Sequence, residues 1–178
     1  EMRMIPVASL MENLVDVLDR ECTMYEKLLG LSSRKTSVIV KGDLEALAEI
    51  TDEEQCVIGN IQSLEKKREE AMKDIANVLN KDVNSLKLTD LIEVLEKRPV
   101  DQKNLAVQRD RLVGVAGDVR RVNGQNQELL RSSLEMVQFE MNIIQASKRA
   151  PETANYSRAL GTTGECLGYT SGGFDAKQ

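Results

Sequence analysis

Proline is nearly absent from this chain, standing only at Pro6, Pro99 and Pro151. Between those points nothing forbids continuous helix, because the residue that removes a backbone donor and clashes with the preceding turn is missing. In the first interval apolar residues recur in steps of three and four, at Val7, Met11, Leu14, Leu18, Cys22, Tyr25 and Leu29. That spacing is one face of an α-helix. Ser32, Thr36 and Ile39 carry the same phase onward with weaker side chains.

Lys41-Gly42-Asp43 is the clearest punctuation. Glycine takes the left-handed conformation that ends a helix, and Asp43 can cap the next one. The second helix carries Leu44, Leu47, Ile50, Ile58, Ile61, Leu64, Met72, Ile75 and Leu79 on its stripe. Its acids come early, from Asp43 to Glu54, and its bases late, from Lys66 to Lys73. This order complements the helix dipole, so the run Asp52-Glu53-Glu54 reads as a solvated face. The Asn80–Ser85 stretch is polar and turn-like. Thr89 is expected to cap a short helix over Leu91–Leu95 that Pro99 stops.

A last long helix is expected from about Asp101 to Lys148, with Leu112, Val115, Val119, Val122, Asn126, Leu130, Leu134, Val137, Met141 and Ile144 in phase. The mean step lies close to the 3.6 period, which predicts a nearly straight bundle helix. Aromatics make up only 3% of residues, so the core must come from Leu, Ile, Val, Met and Ala. That mix suits helices better than sheets. The reading is an all-α, elongated antiparallel bundle of three long helices and one short helix, a rod over residues 1–150, followed by a tail over 151–178. The tail holds five of the eleven glycines and three of the five aromatics, Tyr156, Tyr169 and Phe174. It reads as flexible when alone.

Catalysis is disfavoured. There is no histidine, so the commonest general base and the Ser-His-Asp, Cys-His and di-iron arrangements are missing. The acidic run lacks EF-hand spacing, and Gly161–Gly168 lacks a Walker lysine. Cys22, Cys56 and Cys166 form no CxxC pair; Cys22 and Cys56 fall too far apart across the Gly42 turn for a disulfide. No cofactor and no metal are expected. Arg109, Arg111, Arg120, Arg121 and Arg131 are interrupted by Asp110, Asp118 and Glu128, and the net charge is −5, so no nucleic-acid partner is expected. The absence of a signal-like apolar run and of any membrane-length span predicts a soluble, cytoplasmic protein with no integral membrane segment.

Two features of the last helix remain. Gly114, Gly117 and Gly124 each cost about 1 kcal/mol relative to alanine inside a helix. Two readings stand side by side: a close approach or softness serving a partner, or a weakly selected surface. The stretch Asn123–Val137 is apolar on more than one face, wider than a two-helix contact requires. Ordinary bundle packing and a partner groove both remain open for it.

The first helix, the Lys41-Gly-Asp-Leu-Glu-Ala-Leu47 turn and the second helix resemble flagellar export chaperones of the FlgN type. So does the Asn123-x-x-Asn126-x-x-Leu129-Leu130-x-x-Ser133-Leu134 run, while the Tyr156…Gly161…Phe174–Gln178 ending is similar to the tail of Gram-positive members. The resemblance implies a cytoplasmic chaperone that binds the helical C-terminal ends of the flagellar hook-associated (hook–filament junction) proteins. It also implies delivery to the flagellar export apparatus. By that resemblance the partner-binding residues are Asn123, Asn126, Leu129, Leu130, Leu134, Val137, Met141, Ile144, Tyr156, Tyr169 and Phe174. A non-catalytic helical scaffold or a self-associating structural protein is the alternative, and a regulator or adaptor would look the same.

Overall fold

The computed structural model describes residues 7–82 and 86–149, and every regular element among them is helical. Helix α1 spans Val7–Lys41, α2 Leu44–Val78, α3 Leu88–Val94 and α4 Pro99–Arg149, with a 3₁₀ turn at Leu95–Lys97 after α3. The all-α bundle of three long helices and one short helix is the expected one. The chain divides into two compact units, Glu1–Ser132 and Ser133–Gln178.

In the first unit the turn at Gly42 forms as its residues require. Gly42 takes φ 69°, a region open to glycine at no steric cost. Its N–H donates to Ile39 O at 3.1 Å, and the N–H of Asp43 reaches back to Val38 O at 3.3 Å. This is the paired closure of a Schellman end. Asp43 then caps α2, its carboxylate accepting from the Ala46 N–H at 3.0 Å. The far end of α2 repeats the device with Asn80 at φ 51° and Lys81 N–H donating to Ala76 O at 2.9 Å.

Helices α1 and α2 are antiparallel, and α4 runs parallel to α1: Cys22 lies beside Gln108 and Ser32 beside Asn126. Two apolar clusters hold the three together. One joins Leu14, Leu18 and Cys22 of α1, Ala71 and Ile75 of α2, Leu91 and Leu95, and Leu105 and Leu112 of α4. The other joins Leu28 and Leu31, Ile50, Val57 and Ile61, and Val119. Short helix α3 and its 3₁₀ turn therefore lid one end of the bundle.

Several sequence expectations are corrected. The short helix begins at Leu88, three residues before the expected Leu91, because Asp90 accepts the Lys87 N–H at 2.9 Å and fixes the first turn there. Pro99 opens α4: it is the first helical residue, where its missing N–H costs nothing. In α1 the stripe shifts to Leu28 and Leu31, with Tyr25 and Leu29 only half-buried. In α2 Leu44 is 77% exposed, while Val57 is buried in preference to Ile58. Glu54, read as part of a solvated face, is buried.

Candidate partner-binding surface on helix α4

The inner part of α4 is packed. Leu105, Leu112, Val115, Val119 and Val122 are buried, each three, four or seven residues from another buried position of the same face. The stripe ends in a polar layer at Asn126, which is 3% exposed. Its amide donates to Ser32 O at 2.8 Å and accepts from the Thr36 hydroxyl at 2.6 Å. Ser32 in turn donates to Glu54 at 3.0 Å, and Lys35 pairs with the same carboxylate at 2.7 Å. One layer thus fixes the register of all three long helices, since sliding any of them leaves buried polar groups unpaired.

The outer part of α4 is bare. From Arg131 to Arg149 every residue is exposed. Seven large apolar side chains lie there within three turns: Leu134 70%, Met136 65%, Val137 52%, Phe139 64%, Met141 54%, Ile143 52% and Ile144 53% exposed. At about 100° per residue, Leu134, Val137, Met141 and Ile144 occupy one arc of about 80°. Met136, Phe139 and Ile143 occupy a second arc of about 60°, centred about 150° from the first. Glu135, Gln138 and Asn142 separate the two on one side, and Ser133 and Glu140 on the other. Lys148 and Arg149 close the last turn, where cations offset the dipole.

The sequence-predicted site residues therefore separate. Leu134, Val137, Met141 and Ile144 share one exposed face. Leu129 and Leu130 are half-buried in the first unit, Asn123 is exposed, and Asn126 is committed to α1 inside the bundle. Tyr156, Tyr169 and Phe174 lie outside the described residues. Met136, Phe139 and Ile143 were missed. The signal was present: the apolar width noted up to Val137 continues at the same spacing beyond it.

Arg109, Arg111, Arg121 and Arg131 of α4 each pair with a carboxylate. Arg111 bridges Asp19 at 2.7 Å and Glu26 at 2.9 Å, and the guanidinium hydrogen bonds hold the Glu26 carboxyl below its usual range. Arg121 pairs with Asp118 and Arg131 with Glu128. Such exposed pairs add little to stability. Cys22 and Cys56 are free thiols, the first buried and the second exposed. Burial pushes the Cys22 thiol up, which keeps it protonated and unreactive. Among the described residues there is no cluster of three or more metal-ligating side chains, and no helix is long and apolar enough to cross a membrane.

The described residues make an all-α bundle, and its last helix carries an exposed apolar face. The chain belongs to the FlgN family of flagellar chaperones, whose profile, described as FlgN protein, matches residues 4–163. It is also similar to the uncharacterized protein YvyG of Bacillus subtilis (strain 168), at 23% identity over 147 residues, covering 83% of this chain and 86% of that protein. No solved structure matches it.

Proposed function

We propose that this chain is a cytoplasmic chaperone for flagellar type III export that covers the helical C-terminal segments of hook–filament junction proteins. It keeps them unassembled and hands them to the export apparatus. Family membership supports the pathway, and the bare apolar stretch of α4 supports the mode. An amphipathic client helix laid along this stretch buries its own apolar stripe against Leu134, Val137, Met141 and Ile144. That stripe would otherwise drive premature assembly.

Magnitudes say how much of the surface a client must cover. Burying a Leu, Ile, Phe or Met side chain is worth about 1.5–3 kcal/mol. Seven partly exposed ones then offer on the order of 10 kcal/mol gross. Association itself costs about 4–15 kcal/mol. One face alone barely meets that cost, so a stable complex engages both arcs. Tyr156, Tyr169 and Phe174 remain part of the proposal as further apolar contacts.

The carrying observation is the exposed apolar run Leu134–Ile144. Its test is binding of C-terminal peptides from junction proteins to the full chain by calorimetry. Leu134→Glu and Phe139→Glu, one on each arc, should each weaken binding at least about tenfold with unchanged helicity and Tm. Undiminished binding by both variants would remove α4 from the site. The spacing of Leu134, Val137, Met141 and Ile144 in steps of three, four and three also favours a second reading, self-association through a helix seam. Light scattering of the full chain separates the two: a dimer that Leu134→Glu dissociates, with no peptide binding, supports the second.

A further inference from the structure

The first unit carries a second surface of opposite character. A cleft of about 830 Å³ lies between α2, the start of α3 and α4. Five cations line it: Lys66, Arg68 and Lys73 of α2, Lys87 and Arg109, against Glu69 and Glu70 only. Met72, Leu88 and Val113 give it an apolar floor, with Val113 67% exposed. In a chain of net charge −5 this is a local reversal of sign.

The cations are poorly matched inside the molecule. None of the ion pairs among the described residues uses Lys66, Lys73 or Lys87. Arg68 meets the buried Glu21 through Nε at 3.4 Å, and Arg109 pairs with its sequence neighbour Asp110. Gathered like charges repel one another and focus a positive field over the cleft.

We propose that this cleft docks an acidic segment of a partner protein, one in which carboxylates flank an apolar side chain. Lys66 and Lys73 stand about 10 Å apart along α2 at 1.5 Å per residue, two helical turns. Carboxylates at matching spacing meet the rim, while the apolar residue between them covers Met72, Leu88 and Val113. The chemistry does not suit a nucleotide or free phosphate. The lining holds no aromatic for a base to stack on. The Lys87 N–H, just before α3, is already taken by the Asp90 carboxylate. The floor is also apolar where a hydrated anion would sit. This surface shares no residue with the bare stretch of α4 and stands independently of the chaperone reading.

The test uses the full chain and a short synthetic peptide with glutamates at i and i+4 flanking leucines. The expected result is saturable binding that weakens with salt and shifts the NMR signals of Met72, Leu88 and Val113. Lys66→Glu and Lys73→Glu, both at exposed positions, should each lower affinity at least about tenfold with unchanged helicity. Lys27→Glu on α1 and Leu134→Glu on α4 should leave it intact. Four results would overturn the proposal: equal binding of the glutamine version of the peptide; affinity untouched by both charge reversals; displacement of the peptide by inorganic phosphate or ATP at comparable affinity; or concentration-dependent self-association abolished by Lys73→Glu. The last would make the acidic start of a second copy's α2 the occupant.

Discussion

Two stretches of one helix, Leu105–Asn126 and Leu134–Ile144, each carry an apolar stripe stepped at helical spacing, yet the stripe of the first is buried and that of the second is bare, although the second stretch is about twice as dense in large apolar residues. The first meets α1, α2 and α3, whose stripes have complementary phase. The second presents two apolar arcs with polar strips between them and, among the described residues, only solvent. Periodicity therefore reports that a face wants cover, and says nothing of who supplies it. In this chain the supplier changes partway along α4: its own helices up to Asn126, and on the proposed reading a client beyond it.

The sharpest way to break the comparison is truncation of one leucine in each stretch. Leu105→Ala removes a fully buried side chain and should cost about 2–5 kcal/mol of unfolding free energy. Leu134→Ala removes a side chain already in water and should stay within about 0.5 kcal/mol. Chemical denaturation of both variants measures this. Equal costs would mean that the outer stretch is packed in solution, and the client-binding reading of α4 would lose its support.

A smaller effect sharpens the boundary between the stretches. Asn126→Ala removes the bonds that Asn126 makes with Ser32 O and the Thr36 hydroxyl, which keep each other at 3.2 Å, and should cost about 1 kcal/mol. An Asn126→Leu variant restores neither bond, yet adds apolar volume, so it tests register as well. If it stabilises, the polar layer is kept for specificity and not for strength.

The helices, their order, the Gly42 turn and the Asp43 cap were legible in the sequence because each rests on local chemistry: a period, a left-handed glycine, a short acid at a helix start. Glu54 was not legible. Its neighbours Asp52 and Glu53 are solvated, and only the antiparallel pairing that brings Ser32 and Lys35 opposite it makes burial tolerable. Pro99 was misread for a related reason, since proline marks a boundary without saying on which side the helix lies. Of the site, the phase of Leu134, Val137, Met141 and Ile144 was readable. Its bareness was not, because a helical period marks an apolar face without saying whether another element covers it.

A third prediction concerns the other buried acid of the bundle. Glu21 is 1% exposed, and burial raises its pKa from 4.5, with Arg68 offsetting part of the rise and Glu65 adding to it. The folded chain thus holds this proton more tightly than the unfolded chain. The associated stability is present below the ordinary value of 4.5 and is lost as pH rises through the raised one. Glu21→Gln should raise Tm near neutral pH, and the gain should shrink toward pH 4.5. A gain independent of pH would show that the carboxyl is charged in both states.

The smallest effects belong to Gly114, Gly117 and Gly124, and they bear on whether the inner stretch of α4 is as self-sufficient as its packing suggests. A Cβ built on any of the three meets nothing within 4 Å, and all three are exposed, so no helix among the described residues requires glycine there. Replacing each by alanine narrows the unfolded ensemble and favours helix, which should stabilise by about 0.4–1 kcal/mol per site. The triple variant would then melt several degrees higher if the sites are independent. Binding is the second readout. If the glycines mark only an unselected surface, client affinity is unchanged in the stabilised variant. If a partner helix approaches this back face closely, the added methyls intrude and affinity falls although the fold is stronger. A stability gain with lost binding would extend the partner surface inward along α4, past the boundary that the buried Asn126 layer sets.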